Sequence, residues 1–360
     1  MTAFGGAYAG RTVLVTGHTG FKGSWLSLWL QQLGAKPVGL ALDPLPGPGH
    51  FAACRVMDGM TDLRADVLDY EAVVSAMERH RPSLVFHLAA QPLVRRAFAD
   101  PRETFAVNVM GTVNVLEAAR RCSSVEAVVA ATSDKAYRNL GWDWGYRETD
   151  PLGGHEPYAG SKACAEVVAE VYRQHGFQDH AVQPRRMAVA SARAGNVIGG
   201  GDWAPDRLIP DVVRAIAAGQ DVVLRNPGAT RPWQHVLDCL DGYLLLGAKL
   251  LAAPDQHADA WNFGPAAADA LPAQAIVERL LRRWPGHGTG IVVRPDPPGK
   301  EAQALRLDSS KAAVRLRWAP RWTVGDALDR TADWYRQHAA GTAMHTVSVA
   351  QIAEHEGAAP

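Results

Sequence analysis

Thr12-Val13-Leu14-Val15-Thr16 runs directly into Gly17-His18-Thr19-Gly20-Phe21-Lys22-Gly23, and an amphipathic stretch from Trp25 to Leu33 follows. A short β-branched apolar run closed by glycine and followed by helical periodicity reads as strand, tight turn, helix. In that setting each glycine has its own task. Gly17 permits the tight turn, Gly20 lets the backbone approach a pyrophosphate, and Gly23 lets helix and strand close on each other while the helix amides face the anion. The turn predicts a dinucleotide site built from Gly17, Thr19, Gly20, Phe21, Lys22 and Gly23. Glycines occur in many such turns. What adds weight is Asp43, about twenty residues on, closing the second apolar run Val38 to Leu42. A carboxylate there would accept hydrogen bonds from an adenosine ribose and repel a 2′-phosphate, which favours NAD over NADP.

Outward from the turn the alternation repeats. Helical patterns at Tyr70 to His80, Pro101 to Cys122 and Ser161 to His175 are interleaved with apolar runs at Leu84 to Leu88 and Ala127 to Ala131. Strands without polar alternation are buried on both faces, so the expected fold is α/β, a Rossmann-type doubly wound parallel sheet with helices on both sides. Asp66 and Val67, after a third short strand, are placed at the adenine edge, and Leu88-Ala89-Ala90-Gln91 along the cofactor path. After about Arg193 the chain becomes richer in Gly, Pro, Arg and Trp, which predicts a smaller C-terminal α/β unit over the carboxyl ends of the strands. The expected division is 1–192 for the cofactor, with a return at about 232–262, then 193–231 and 263–345 for the substrate, and a polar peripheral tail at 346–360.

Composition narrows the function. The 360 residues are 47% hydrophobic and 21% charged, enough apolar surface for a sizeable core. Lys plus Arg equals Asp plus Glu at 37 each, so there is no uniform positive field for nucleic acid or an anionic membrane. No stretch is long and apolar enough to span a bilayer, and Cys54, Cys122, Cys164 and Cys239 are too scattered for a zinc knuckle or redox dithiol. A cytoplasmic enzyme without a metal is the expectation.

Two further segments carry chemistry. Tyr158 and Lys162, four residues apart at a helix start, project from one face, and the ammonium together with a nicotinamide cation is expected to lower the phenol's pKa toward neutrality and make Tyr158 a usable base. Taken blind, such a pair is usually a solvated surface pair; the upstream glycine turn is what favours chemistry. Thr132-Ser133-Asp134-Lys135 follows the fifth strand and should reach the same sheet edge, although Ser-Asp also favours plain turns.

With these residues in hand the chain resembles the extended short-chain dehydrogenase/reductase family. The resemblance rests on the glycine turn, the strand-end Ser133 and the Tyr158/Lys162 pair, and runs from about Arg11 to His345. Trp144-Gly145-Tyr146-Arg147-Glu148, Arg193 to Trp203, Arg231-Pro232-Trp233-Gln234-His235-Val236 and Trp261-Asn262-Phe263-Gly264-Pro265 narrow it to sugar-nucleotide 4,6-dehydratases, the CDP-glucose branch most of all. It implies NAD as a resident oxidant and a nucleotide hexose as substrate. It also implies catalysis by Ser133, Asp134, Lys135, Tyr158 and Lys162, with Thr132, Tyr158 and Lys162 also touching the cofactor. Enzymes of this branch acting on dTDP-glucose carry Glu where this chain has Lys135, so removal of the C5 proton by Lys135 requires its pKa to be depressed. The resemblance further places Asn196 near the sugar nucleotide, Arg207 near the base and Arg231 on the diphosphate. Arg225 joins them because it and Arg231 bracket a Gly/Pro loop, where guanidinium forks suit phosphate oxygens. A homodimer through Pro101 to Cys122 and Ser161 to His175 is implied, although a core-facing role within one chain would look the same. A sugar-nucleotide 4-epimerase, a dehydratase for another nucleotide, and a non-catalytic NAD-binding sensor remain the alternatives.

Overall fold

A computed structural model describes residues 3–174, 187–295 and 304–358. Seven strands form the central sheet: β1 (Thr12–Thr16), β2 (Lys36–Ala41), β3 (Thr61–Arg64), β4 (Leu84–His87), β5 (Ala127–Ala131), β6 (Ala188–Ala194) and β7 (Ala260–Phe263). They are all parallel, in the spatial order β7, β6, β5, β4, β1, β2, β3. The order reverses between β1 and β4, and the crevice at the carboxyl ends of such a reversal is where open α/β sheets bind ligands.

Successive side chains of β1 point to opposite faces, and both faces are apolar. Val13 and Val15 join Phe86, Val129 and Ala190 in one core with Trp25, Trp29, Leu240, Leu244 and Trp334. Leu14 joins Val38, Val85, Val128 and Val189 in the other, with Val73, Met77, Val115, Leu116 and Ala169. The chain re-enters the sheet as β7 after the helix Val236–Ala252. Above the carboxyl ends, Val222–Leu224 pairs with Ile291–Val293, and Thr230–Pro232 with Ala270–Pro272.

Element boundaries differ from expectation for physical reasons. The first helix is Phe21–Gln32, opening on extended Gly20 directly at the turn, because its first turn of Phe, Lys, Gly and Ser carries no apolar period to read. The second strand ends at Ala41, two residues before Asp43. The helix expected at Pro101 to Cys122 is interrupted by a π-helical turn, Ala106–Met110, between Pro101–Phe105 and Gly111–Arg121. Asn108 sits in that turn with its side chain turned inward: its Oδ1 accepts from the Gln91 amide at 2.8 Å and its Nδ2 donates to Ser161 Oγ at 2.8 Å. The helix expected at Ser161 to His175 spans Pro157–Arg173, and His175 lies outside the described residues.

The peripheral tail is a correction. Met344–Gly357 is a helix whose Met344, Val347, Ser348, Ile352 and His355 are buried. Three of its polar groups meet buried partners: Trp334 Nε1 donates to Ser348 Oγ at 2.9 Å, Trp29 Nε1 to Glu356 Oε1 at 2.8 Å, and His355 Nε2 lies 3.0 Å from Asp238 Oδ1. Among the described residues no helix is long and apolar enough to cross a membrane.

Candidate active site

A cavity of about 860 Å³ runs from the glycine turn, past the ends of β4 and β5, to the two small strand pairs. Gly17 opens it with φ of +76°, and a Cβ there would stand 2.7 Å from the Ala89 amide nitrogen. At Gly23 a Cβ would fall 2.1 Å from the Gly17 carbonyl oxygen. The turn is therefore tight enough to exist only as glycine, and it leaves bare backbone at the amino end of a long helix, which fits a dinucleotide held by its pyrophosphate. His18 is buried against Gly39, its Nε2 2.7 Å from Asp62 Oδ1, and so braces the turn from below.

Thr19, Gly20, Phe21, Lys22, Asp66, Val67, Leu88, Ala89 and Ala90 line the cavity as expected; Asp43 and Gln91 do not. Asp43 lies past the bend at Leu42 that follows β2, and its side chain faces solvent, 3.7 Å from Arg64. Gln91 is buried the other way, its Nε2 donating to Thr104 Oγ1 at 2.8 Å and its Oε1 accepting from the Leu93 amide at 2.7 Å.

Tyr158 and Lys162 enter the cavity because the helix starts just before them. Glu156 caps it, its carboxylate accepting from the amides of Tyr158 at 2.8 Å and Ala159 at 2.9 Å, with Pro157 in the first turn, where its missing N–H costs nothing. Lys162 Nζ donates to the Ala131 carbonyl at 3.3 Å, tying the helix to β5. Burial, reinforced by the Lys22 ammonium, lowers Lys162 to about 8.

The chain's own groups do not lower Tyr158. Burial lifts its phenol to about 12 in spite of a hydrogen bond with Ser133 and the charge of Arg207. Removing a phenolate from water outweighs one neutral hydroxyl and a more distant cation.

The triplet after β5 reaches the same space. Ser133 Oγ donates to Asp134 Oδ1 at 3.0 Å and accepts from the Lys135 amide at 3.2 Å. Asp134 is buried, and burial raises its pKa against the pull of Lys135, the Ser133 hydroxyl and Arg231. Among the described residues its Oδ2 has no hydrogen-bond partner, and it lies 3.3 Å from where a Gly195 Cβ would be. Lys135 Nζ stands 6.0 Å from the Tyr158 ring centre. Thr132 lines the cavity too, but its hydroxyl donates away from it, to the buried carboxylate of Glu166.

At the far end Asn196, Arg207, Arg225 and Arg231 line the wall. Arg207 Nη1 is 3.4 Å from Asp202, Arg225 Nη1 is 3.1 Å from Asp206, and buried Arg231 donates to the Thr230 carbonyl at 3.0 Å. Sequence reasoning missed Asp202 and Asp206, the acids that orient these guanidiniums, because neither lies in a regular pattern with its partner. It also missed Glu166, although Lys162-x-x-x-Glu166 puts that carboxylate on the same helix face.

Comparison with known proteins agrees with this architecture. The family model described as NAD dependent epimerase/dehydratase family matches residues 13–264. A CDP-glucose 4,6-dehydratase of Salmonella typhimurium (strain LT2) is 43% identical over 98% of both chains. A dTDP-glucose 4,6-dehydratase of Xanthomonas campestris pv. campestris is 26% identical over 90% of this chain and 93% of its own. The solved structure of MoeE5 in complex with UDP-glucuronic acid and NAD superposes with a TM-score of 0.76 at 26% identity, covering 91% of this chain and 99% of that one.

Proposed function

The chain belongs to the NAD dependent epimerase/dehydratase family, and on that premise we propose that it dehydrates CDP-D-glucose to CDP-4-keto-6-deoxy-D-glucose. The observation that carries this reading is Asp134, a buried carboxyl with a raised pKa and an unpartnered oxygen beside Tyr158. A 4-epimerase has no use for such an acid, whereas an elimination needs one to protonate the departing hydroxyl. The relative with 43% identity over 98% of both chains supports CDP as the nucleotide.

The glycine turn, Asp66, Val67 and the backbone of Leu88 to Ala90 would hold NAD, which when bound supplies the acceptor and later donor of a hydride and a positive charge near the phenol. Tyr158, held by Ser133 and aided by Lys162, takes the proton of the 4-hydroxyl as C4 becomes a ketone. The ketone acidifies the C5 hydrogen. Lys135, entering as the neutral amine, takes that proton, Asp134 gives its own to the leaving 6-hydroxyl, and water departs. Hydride returned to C6 and a proton to C5 complete the 4-keto-6-deoxy sugar with no net redox change. Arg225 and Arg231 fork onto the diphosphate, while Asn196 and Arg207 contact the nucleotide sugar.

We assign a homodimer through the helices that carry exposed Phe105, Met110, Val167 and Val171. We also assign a reducing, cytoplasmic setting, in keeping with four free cysteines. Incubation with CDP-, dTDP-, GDP- and UDP-glucose, followed by mass spectrometry, tests the reaction. Loss of one water from the CDP sugar, with solvent deuterium at C5, is expected; epimer formation without loss of water would refute it.

A further inference from the structure

Glu166 lies one turn beyond Lys162 on the Tyr158 helix, and its buried carboxylate gathers donors from two strand ends. Thr132 Oγ1, just after β5, donates to its Oε1. Ser191 Oγ and Arg193 Nη2, both on β6, donate to its Oε2 at 2.7 Å each. Arg193 extends the chain of contacts: its Nη1 donates to Tyr137 Oη at 2.8 Å, and Tyr137 Oη donates to Asn262 Oδ1 on β7 at 2.7 Å. Burial pulls the Glu166 pKa up, but the Arg193 guanidinium and the two hydroxyls more than offset it, so the group is a carboxylate.

Neither Glu166 nor Arg193 lines the cavity, yet Thr132 precedes the Ser133-Asp134-Lys135 triplet. Two halves of the site thus sit on separate elements. Tyr158 and Lys162 belong to the helix, whereas Asp134 and Lys135 belong to the loop after β5. A buried ion pair is a costly way to gain stability, since apolar residues of similar volume often do as well. We propose that Glu166 is a positioning residue which, anchored by Arg193 and acting through the Thr132 hydroxyl, sets the elimination triplet against the Tyr158/Lys162 pair. This rests on the dehydratase reading. The latch governs the hand-over from C4 oxidation, done on the helix, to loss of water, done on the loop.

The test is Thr132→Val, which removes the hydroxyl and leaves the Glu166/Arg193 pair intact, with Thr132→Ser as its rescue and Glu166→Asp as an independent variant that keeps the charge. NAD-loaded enzyme is mixed rapidly with CDP-glucose and reduced-nicotinamide absorbance is followed. Misplacement of a reacting group by about 1 Å can cost about 100-fold, so a loosened latch should lower kcat by roughly 10-fold or more with KM nearly unchanged. Reduced cofactor should build up in Thr132→Val and Glu166→Asp, the unfolding temperature of Thr132→Val should stay close to wild type, and Thr132→Ser should restore turnover. A Thr132→Val enzyme that turns over like wild type, or one that loses activity only in proportion to folded protein with no build-up, overturns the proposal. Wild-type protein that reduces no cofactor with any of the nucleotide hexoses overturns the functional reading itself, and this inference with it.

Discussion

Ser133 and Asp134 form a one-sided pair: the hydroxyl donates to Oδ1 at 3.0 Å and leaves Oδ2 buried without a hydrogen-bond partner among the described residues. That asymmetry marks Oδ2 as the oxygen that carries a proton. Asp134→Asn preserves shape and removes the acid. Loss of a positioned acid typically costs about 10²–10⁴ in rate. Dehydration should fall by that order while C4 oxidation persists, seen as reduced cofactor without an alkali-absorbing 4-keto product. Near-normal dehydration by the variant would remove Asp134 from the acid role.

Gly17→Ala tests the cradle. The new methyl meets the Ala89 backbone at 2.7 Å in a conformation, φ +76°, that L-residues rarely adopt. Such strain costs on the order of 1–3 kcal/mol. We expect NAD affinity, measured by calorimetry, to drop at least 10-fold with a modest fall in unfolding temperature. Unchanged NAD affinity would place the cofactor elsewhere.

Lys162 makes a pH prediction. Its folded pKa of about 8 lies below the ordinary 10.5 because of burial and then Lys22. Between those values the unfolded chain binds more protons than the folded one, so this group makes stability rise with pH across that window; below about 8 its full cost is present. The drop corresponds to on the order of 3 kcal/mol, less what is lost with the bond to the Ala131 carbonyl. Lys162→Met should therefore be inactive yet more stable than wild type at pH 7, by roughly 1–3 kcal/mol in urea. The advantage should shrink toward pH 9.5. A variant less stable at both pH values would contradict this.

Val167 and Val171 lie four residues apart on the outer face of the Tyr158 helix, both exposed. If the proposed dimer forms through this face, Val167→Asp with Val171→Asp should leave the fold intact and yield a monomer, halving the mass seen by light scattering. A doubly substituted protein that remains dimeric would exclude this face.

The glycine turn and the Tyr158/Lys162 pair were legible in the sequence because each is local: a period change brackets the turn, and a spacing of four puts two side chains on one face. The direction taken just past a strand end was not. β2 stops at Ala41, and the bend at Leu42 turns Asp43 out of the cavity to Arg64. Nor was the height of the Tyr158 pKa, which depends on how much of the sheet edge closes over it. The Thr132–Glu166–Arg193 latch is likewise non-local, joining residues from three elements. The packing of the helix at Met344 is not legible locally, because Ser348 and His355 read as solvent-facing polar residues yet satisfy buried Trp334 and Asp238.

Trp29 on the first helix donates to Glu356, 327 positions later, and His50 meets Ser348, 298 positions later. During synthesis the segment bearing the nucleotide turn therefore leaves the ribosome long before the residues that cover its outer face. Until they arrive, Trp29 awaits its cover, a state that invites chaperone capture or clumping and slows maturation. Recombinant yield should accordingly be more sensitive to lesions around Ser348 than to changes at the catalytic groups.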